Sequence, residues 1–540
     1  MRPSLKSFAA VAAGIHVASL AAAVPSGAQS TGEPEVTAAV QVSNDPNPTR
    51  GYSTPQIARD PKNGMLVIAD CDARNKKVVT VYRSNNEGRS WMPGGDPMLK
   101  PWTDACGNPD SNIDHTMAFD KNGVLYIAFQ ANDPRFSNLP KPDRPMSIFL
   151  SKSTDDGLTF SAVKVWDAPE APEADRGLKR NDRPWVAVDP NDPRFVYVSW
   201  MQFHTNDDVP SGNKALVASS SDGGKTFGKP FSLREGDPQG SYEARVAVDG
   251  KGVVHTVFAG RGRTDPVPPG SPPAPAVVRN VLARSSSDHG ATWTPAVPVD
   301  DGNAGFSFDR KWGLKADPKN NNLYVTWYGN PNPRAARPQD DRDIYFRASY
   351  DGGKTWTDRT VINTDSALVN VQHYDPYLDI APNGRIDVVW YDGRNSPTPE
   401  GDCPAGNCGG FQDVYMRSST DGGKTWGKEI KVNDRIIDRN YGVWSNNNHI
   451  HGPLGIVSTD DNSYVAWQDS RNGHDIGSAD DTYFARVIYN DKAEMGTTKD
   501  NGVPRPLLLL AGIAIGMGVA MLVAFAFAKR GRSGTPATTT

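Results

Sequence analysis

Residues 220–227 read SSDGGKTF, and the phrase returns as SNNEGRSW (84–91), STDDGLTF (153–160), SSDHGATW (286–293), SYDGGKTW (349–356) and STDGGKTW (419–426). The third positions are Asn86, Asp155, Asp222, Asp288, Asp351 and Asp421, spaced 69, 67, 66, 63 and 70 residues apart. So even a beat marks a repeat architecture. Each copy lies between strand-like runs, as residues 343–347 (DIYFR) and 360–363 (TVIN) flank the fifth. An Asp followed by Gly between such runs predicts a hairpin turn. The Asp and Ser side chains can bond nearby backbone N–H groups, while the aromatic residue folds into the core.

Between octapeptides a second phrase repeats: a strand ending in Asp or a turn, then an aliphatic strand that often closes on Trp, as in 183–190 (RPWVAVDP) and 196–200 (VYVSW). One repeat therefore supplies four strands, the content of a β-propeller blade. First strands begin near Pro55, His115, Pro184, Ala244, Lys311, Pro376 and Gly452, which makes seven. The seventh repeat, 450–488, has no octapeptide and no fourth strand. Residues 36–45 (VTAAVQVSND) read like the outer strand of the sixth repeat, 428–434 (KEIKVND), and can supply it. The expectation is an all-β propeller of seven four-stranded blades over 29–489, closed by an N-terminal strand that hides the open edge.

The ends read differently. Residues 1–28 have the basic start, apolar run and small-residue finish of a secretory signal. Residues 507–528 carry no charge over 22 positions, enough for a transmembrane helix, and Lys529, Arg530 and Arg532 follow. The expectation is a single-pass membrane protein, with a linker at 490–506, a cytoplasmic tail at 529–540 and the propeller outside the cell. The formal net charge of -4 gives no reason to expect nucleic acid. Four exported cysteines suggest disulfides, Cys71 with Cys106 and Cys403 with Cys408. No Cys/His spacing resembles a zinc site and no cofactor is expected. Whether the Asp-rich segment 475–481 holds a structural calcium ion stays open.

Third strands should end at the octapeptides, so first strands should begin on the opposite side. The long connections, 132–145, 204–213, 261–276, 329–342 and 392–412, fall on that side, and loops this long are commonly functional. The first-strand starts carry Asp114 with His115, Asp182 with Arg183, Glu243, Asp309 with Arg310, Tyr374 with Asp375, and His449 with His451. Such a ring can bind a ligand or pair across the mouth and plug it. The phrases 392–395 (DGRN) and 469–472 (DSRN) repeat one another and read as latches between blades.

The octapeptide resembles the Asp box of sialidases and other BNR-repeat propellers. The resemblance covers about 36–488 and implies that the boxes are structural and lie opposite the active site. Sialidases grip a substrate carboxylate with three arginines, attack with a tyrosine activated by a glutamate, and protonate with an aspartate. By that resemblance Glu243 and Tyr374 would be base and nucleophile, Asp70 or Asp72 the acid, and Arg261 and Arg310 part of the clamp. The family's Arg-Ile-Pro phrase is Ser53-Thr54-Pro55 here, which leaves Arg50 or Arg183 to replace the third arginine. The family also has six blades. Two functions follow: a surface propeller recognising a glycan or a protein, with Asp114, His115, Asp375 and His451 among its contacts, or an exo-glycosidase of sialidase type.

Overall fold

The octapeptides prove to be corners of one design. In the computed structural model the Ser Oγ donates to the Asp Oδ1, and the amide of the fifth-position glycine donates back to that Oγ. For residues 220–227 these bonds are 2.7 and 2.9 Å, and Thr226 Oγ1 closes the loop onto Asp222 Oδ2 at 2.6 Å. Asn86 serves the first copy by accepting from Ser84 at 2.9 Å and donating to Ser90 at 2.8 Å. The Thr292 hydroxyl and amide, then the Ser286 hydroxyl, hold the exposed Asp288 carboxyl down at about 2. Fourth and fifth positions are both left-handed, as at Gly422 (φ 79°) and Gly423 (φ 90°), which explains the Gly-Gly of three copies. The eighth-position aromatic packs on the preceding repeat: Trp426 on Phe346 at 4.9 Å between ring centroids, Trp293 on Phe231 at 5.9 Å. Trp91, in the first repeat, packs on Phe484 of the last at 5.2 Å.

The structure describes residues 33–47, 50–72, 79–97, 115–134, 145–167, 179–204, 214–234, 241–261, 279–300, 312–329, 342–366, 371–396, 410–439, 441, 454–473 and 479–489. They hold strands and turns with no α-helix, and no helix among them is long and apolar enough to cross a membrane. The apolar run 507–528, the leader 1–28 and the segments 490–506 and 529–540 lie outside the described residues. Each repeat is an antiparallel meander. The fifth runs Trp312–Ala316, Leu323–Gly329, Asp343–Ser349, Thr360–Val361. First strands of the seven described meanders are Arg50–Arg59, Thr116–Phe119, Lys179–Val188, Ser241–Val248, Trp312–Ala316, His373–Ile380 and Gly455–Ser458. Each touches the next, and Gly455–Ser458 touches Arg50–Arg59. A cavity of about 190 Å³ is lined by residues of all seven, among them Gln56, Thr116, Trp185, Val246, Lys315 and Ile456. The core lies between neighbouring meanders, where Trp200, Trp327, Trp390 and Trp467, each near the end of a second strand, are fully buried.

The last meander takes its outer edge from the other end of the chain. Glu35–Val36 and Val40–Gln41 pair antiparallel with Ala479–Ile488. The match to a resident outer strand extends to single bonds. Val432 N donates to Val414 O and Val414 N to Asn433 Oδ1, each at 2.8 Å; Val42 N donates to Thr482 O at 2.8 Å and Thr482 N to Ser43 Oγ at 3.0 Å. Where this meander lacks an octapeptide, Tyr489 fills the corner. Its ring lies 3.6 Å from the Arg385 guanidinium and its hydroxyl hydrogen-bonds Ser418 Oγ at 2.8 Å.

Candidate functional site

At the start side, opposite the octapeptide corners, four first strands share a bulge. Their registers slip between Ser53 and Gln56, Asp182 and Trp185, Tyr242 and Ala244, and Tyr374 and Tyr377. Inside each slip stands a left-handed residue that is not glycine: Thr54 (φ 56°), Arg183 (φ 57°), Glu243 (φ 26°) and Asp375 (φ 53°). Three of them precede proline, which disfavours helical φ/ψ before it. Backbone of this kind costs on the order of 1–3 kcal/mol per residue and persists only where surrounding bonds impose it. For Arg183 those bonds are visible: its amide donates to Gln130 Oε1 at 2.7 Å and to Asp182 Oδ1 at 2.9 Å, and Gln130 also hydrogen-bonds the Asp182 carboxylate.

The bulges bring Arg183 onto Glu243. The Glu243 carboxylate is fully buried, with one oxygen against Arg183 Nη1 and the other 3.5 Å from Arg245 Nη2. Arg245 lies 4.6 Å over the Trp185 ring and donates from Nε to Trp312 O at 3.4 Å. The result is a dry cation–anion–cation stack from two adjacent meanders. Arg245 was missed in the sequence, although its position two residues from Glu243 on one strand is a readable signal.

Tyr374 lies two meanders on, 5 % exposed, with its ring 5.6 Å from Tyr391 and 5.4 Å from the Arg439 guanidinium. Asp375 is buried beside it. His115 is buried too, and its Nε2 lies 2.9 Å from Ala69 O, joining the first two meanders. Asp70 and Asp72 are buried, and Asp70 accepts from Thr482 Oγ1 at 2.7 Å, between the first and last meanders. Burial, with Asp72 and Asp481 adding repulsion, pushes the Asp70 carboxyl well above its ordinary range. Arg50 is bound twice to Asp481, by Nε at 2.9 Å and Nη2 at 2.8 Å. Cys71 is buried and disulfide-bonded. Its expected partner Cys106 lies outside the described residues, as do Cys403, Cys408, Asp114, Arg310 and His451. Arg261 ends a described strand, its side chain outside the description.

The two repeated phrases are latches. Arg394 Nη2 lies 2.6 Å from Asp392 and 3.2 Å from Asp365 of the preceding meander, while Nη1 lies 2.6 Å from Glu429. Arg471 repeats this with Asp469 and Asp434, each at 2.8 Å. The first latch adds the buried His373, with Nδ1 donating to Arg342 O at 2.5 Å and Nε2 lying 3.0 Å from Asp365 and 3.3 Å from Asp392. Imidazole with two carboxylates is a metal-ligand set by residue type, and here Arg394 already sits on both carboxylates. Against the desolvation that opposes its charge, Asp392 and then Asp365 raise His373 to about 10 from 6.5. The sign follows: the stabilisation is complete below pH 6.5, declines as the unfolded chain gives up its proton, and is gone once pH passes about 10. Urea titrations should therefore show falling stability between pH 7 and 10, and His373→Gln should flatten that slope; an unchanged slope would remove the charge from His373.

No protein-family model matches the chain and no curated protein matches it. Among solved structures, the phage phi92 endosialidase is 10 % identical, covering 87 % of this chain and 71 % of its own, with a TM-score of 0.44. The Hadza microbial sialidase is 15 % identical over 79 % and 74 %, with a TM-score of 0.41. An α-L-arabinofuranosidase of Fusarium graminearum is 14 % identical over 66 % and 92 %, with a TM-score of 0.40. At these values none of them assigns an activity to this chain.

Proposed function

We propose that residues 33–489 form a seven-bladed Asp-box propeller closed by its N-terminal strand, and that its start side recognises a glycan without cleaving it. In this reading the leader exports the chain and residues 507–528 anchor it, which presents the propeller outside the cell. The observation that carries the choice is the Glu243 carboxylate, fully buried with its two oxygens engaged by Arg183 and Arg245. A base for a tyrosine nucleophile needs a free carboxylate oxygen at the phenol. Asp70, one of the two acids the resemblance offers beside Asp72, adds support, because a general acid should face the substrate and this one is bonded to Thr482 inside the sheet seam. Arg183, 7 % exposed at the bulge tip, is the guanidinium offered to an acidic sugar.

The test pairs glycan-array binding by the full chain with release of a fluorogenic sialoside. Binding without release is the expected result, and Arg183→Ala should weaken it roughly 10- to 100-fold, the loss of one charged hydrogen bond. Release that disappears in both Tyr374→Phe and Glu243→Gln would instead establish the exo-glycosidase.

A further inference from the structure

The seam between the first and last meanders holds polar atoms that the fold leaves without partners. Asp70 stands opposite Thr80 in one meander and Gln468 opposite Thr482 in the other. Thr482 Oγ1 bridges the two by donating to Asp70 Oδ2 at 2.7 Å. Cross-strand partners share a face about 5 Å apart, so these four side chains meet across the seam. Asp70 Oδ1, Thr80 Oγ1 and both ends of the Gln468 amide are buried without a hydrogen-bond partner. Asp70 and Gln468 are each 0 % exposed. Leaving such groups unmet costs about 1–3 kcal/mol apiece, so something other than protein satisfies them. The surroundings are acidic: Asp72, Asp480 and Asp481 are buried in the same strands. Asp481 itself is taken by Arg50, Ser43 and Asn472, which removes it from a calcium set drawn on the Asp-rich segment.

We propose that Asp70 Oδ1, Gln468 Oε1 and the hydroxyls of Thr80 and Thr482 ligate a calcium ion that clasps the two ends of the β-domain together. All donors are oxygens and one is a carboxylate, the set a hard cation prefers; calcium takes six to eight, the remainder coming from water. The amide oxygen and the hydroxyls ligate as neutral groups, Asp70 gives up the proton that burial favours, and all four reach the ion only when the seam is shut. Binding therefore stabilises the closed form by mass action. The inference is independent of what the start side recognises.

The experiment uses the full chain, stripped with EDTA and dialysed against calcium chloride, with equilibrium dialysis and thermal unfolding as readouts. One bound calcium per chain and a Tm rise of about 2–5 °C at a hundredfold excess over Kd are expected. Gln468→Leu and Thr80→Val should each lose the bound ion and the shift. Gln412→Leu is the control: Gln412 is also buried with both amide ends unpartnered but lies in the sixth meander, and the variant should keep both. No bound calcium, a shift produced equally by potassium or magnesium, or one that persists in Gln468→Leu would overturn the site and leave internal water as the partner.

Discussion

Alanine at Glu243 should lower the free energy of unfolding by about 3–5 kcal/mol, the cost of breaking a buried ion pair from one side. The carboxylate lies between Arg183 and Arg245, with the latter fully buried. Its removal strands the Arg245 guanidinium in a site sealed from water and takes the anion from Arg183, whose side chain is 7 % exposed. The stack is not for that reason a large net stabiliser. Desolvating three charges opposes most of their attraction, so replacing all three at once, as Arg183→Met, Glu243→Leu and Arg245→Met, should cost less than Glu243→Ala alone. Urea unfolding of the single and triple variants measures both. A loss under about 1 kcal/mol for Glu243→Ala would show that the carboxylate is not what neutralises the arginines.

Gly423→Ala should be almost as damaging, and its control separates two causes. Gly423 has φ +90°, and a Cβ there would stand 2.3 Å from Phe346 Cε1 of the preceding meander. Gly384 has the same φ +90° and open space within 4 Å. Alanine at Gly384 therefore meets only the left-handed penalty, about 1–2 kcal/mol. At Gly423 the aromatic ring must also move, adding about 1–3 kcal/mol of overpacking. The gap between the two variants, read from urea midpoints at equal m, is the worth of the corner-to-neighbour contact; equal losses would mean that the corner does not depend on Phe346.

Much of the fold was legible because its causes are local. An octapeptide that bonds its own backbone through Ser, Asp and Thr needs no partner to declare itself. The outer strand read over 36–45 was legible for a related reason: within it Val42 and Ser43 carry the bonding pattern that Val432 and Asn433 carry in the sixth repeat. The site was legible only as a set of residue types. The resemblance offers Asp70 or Asp72 as the acid, and the structure has Asp70 accepting from Thr482 in the seam. The resemblance offers Glu243 as the base, and the structure has it against Arg183 and against Arg245, two residues along its own strand.

Those differences share a physical origin. Period, turn chemistry and the outer-strand motif are set within a few residues, so the chain alone determined the repeat, its corners and the source of its last strand. The direction and partners of a buried charge depend on which meander packs beside it. Arg183 adopts a left-handed backbone before a proline, a conformation its own sequence disfavours, because Gln130 of the neighbouring meander holds its amide. Only the packing of one meander against the next decided that Arg183 meets Glu243, that Asp70 faces the closing seam, and that His373 keeps its proton.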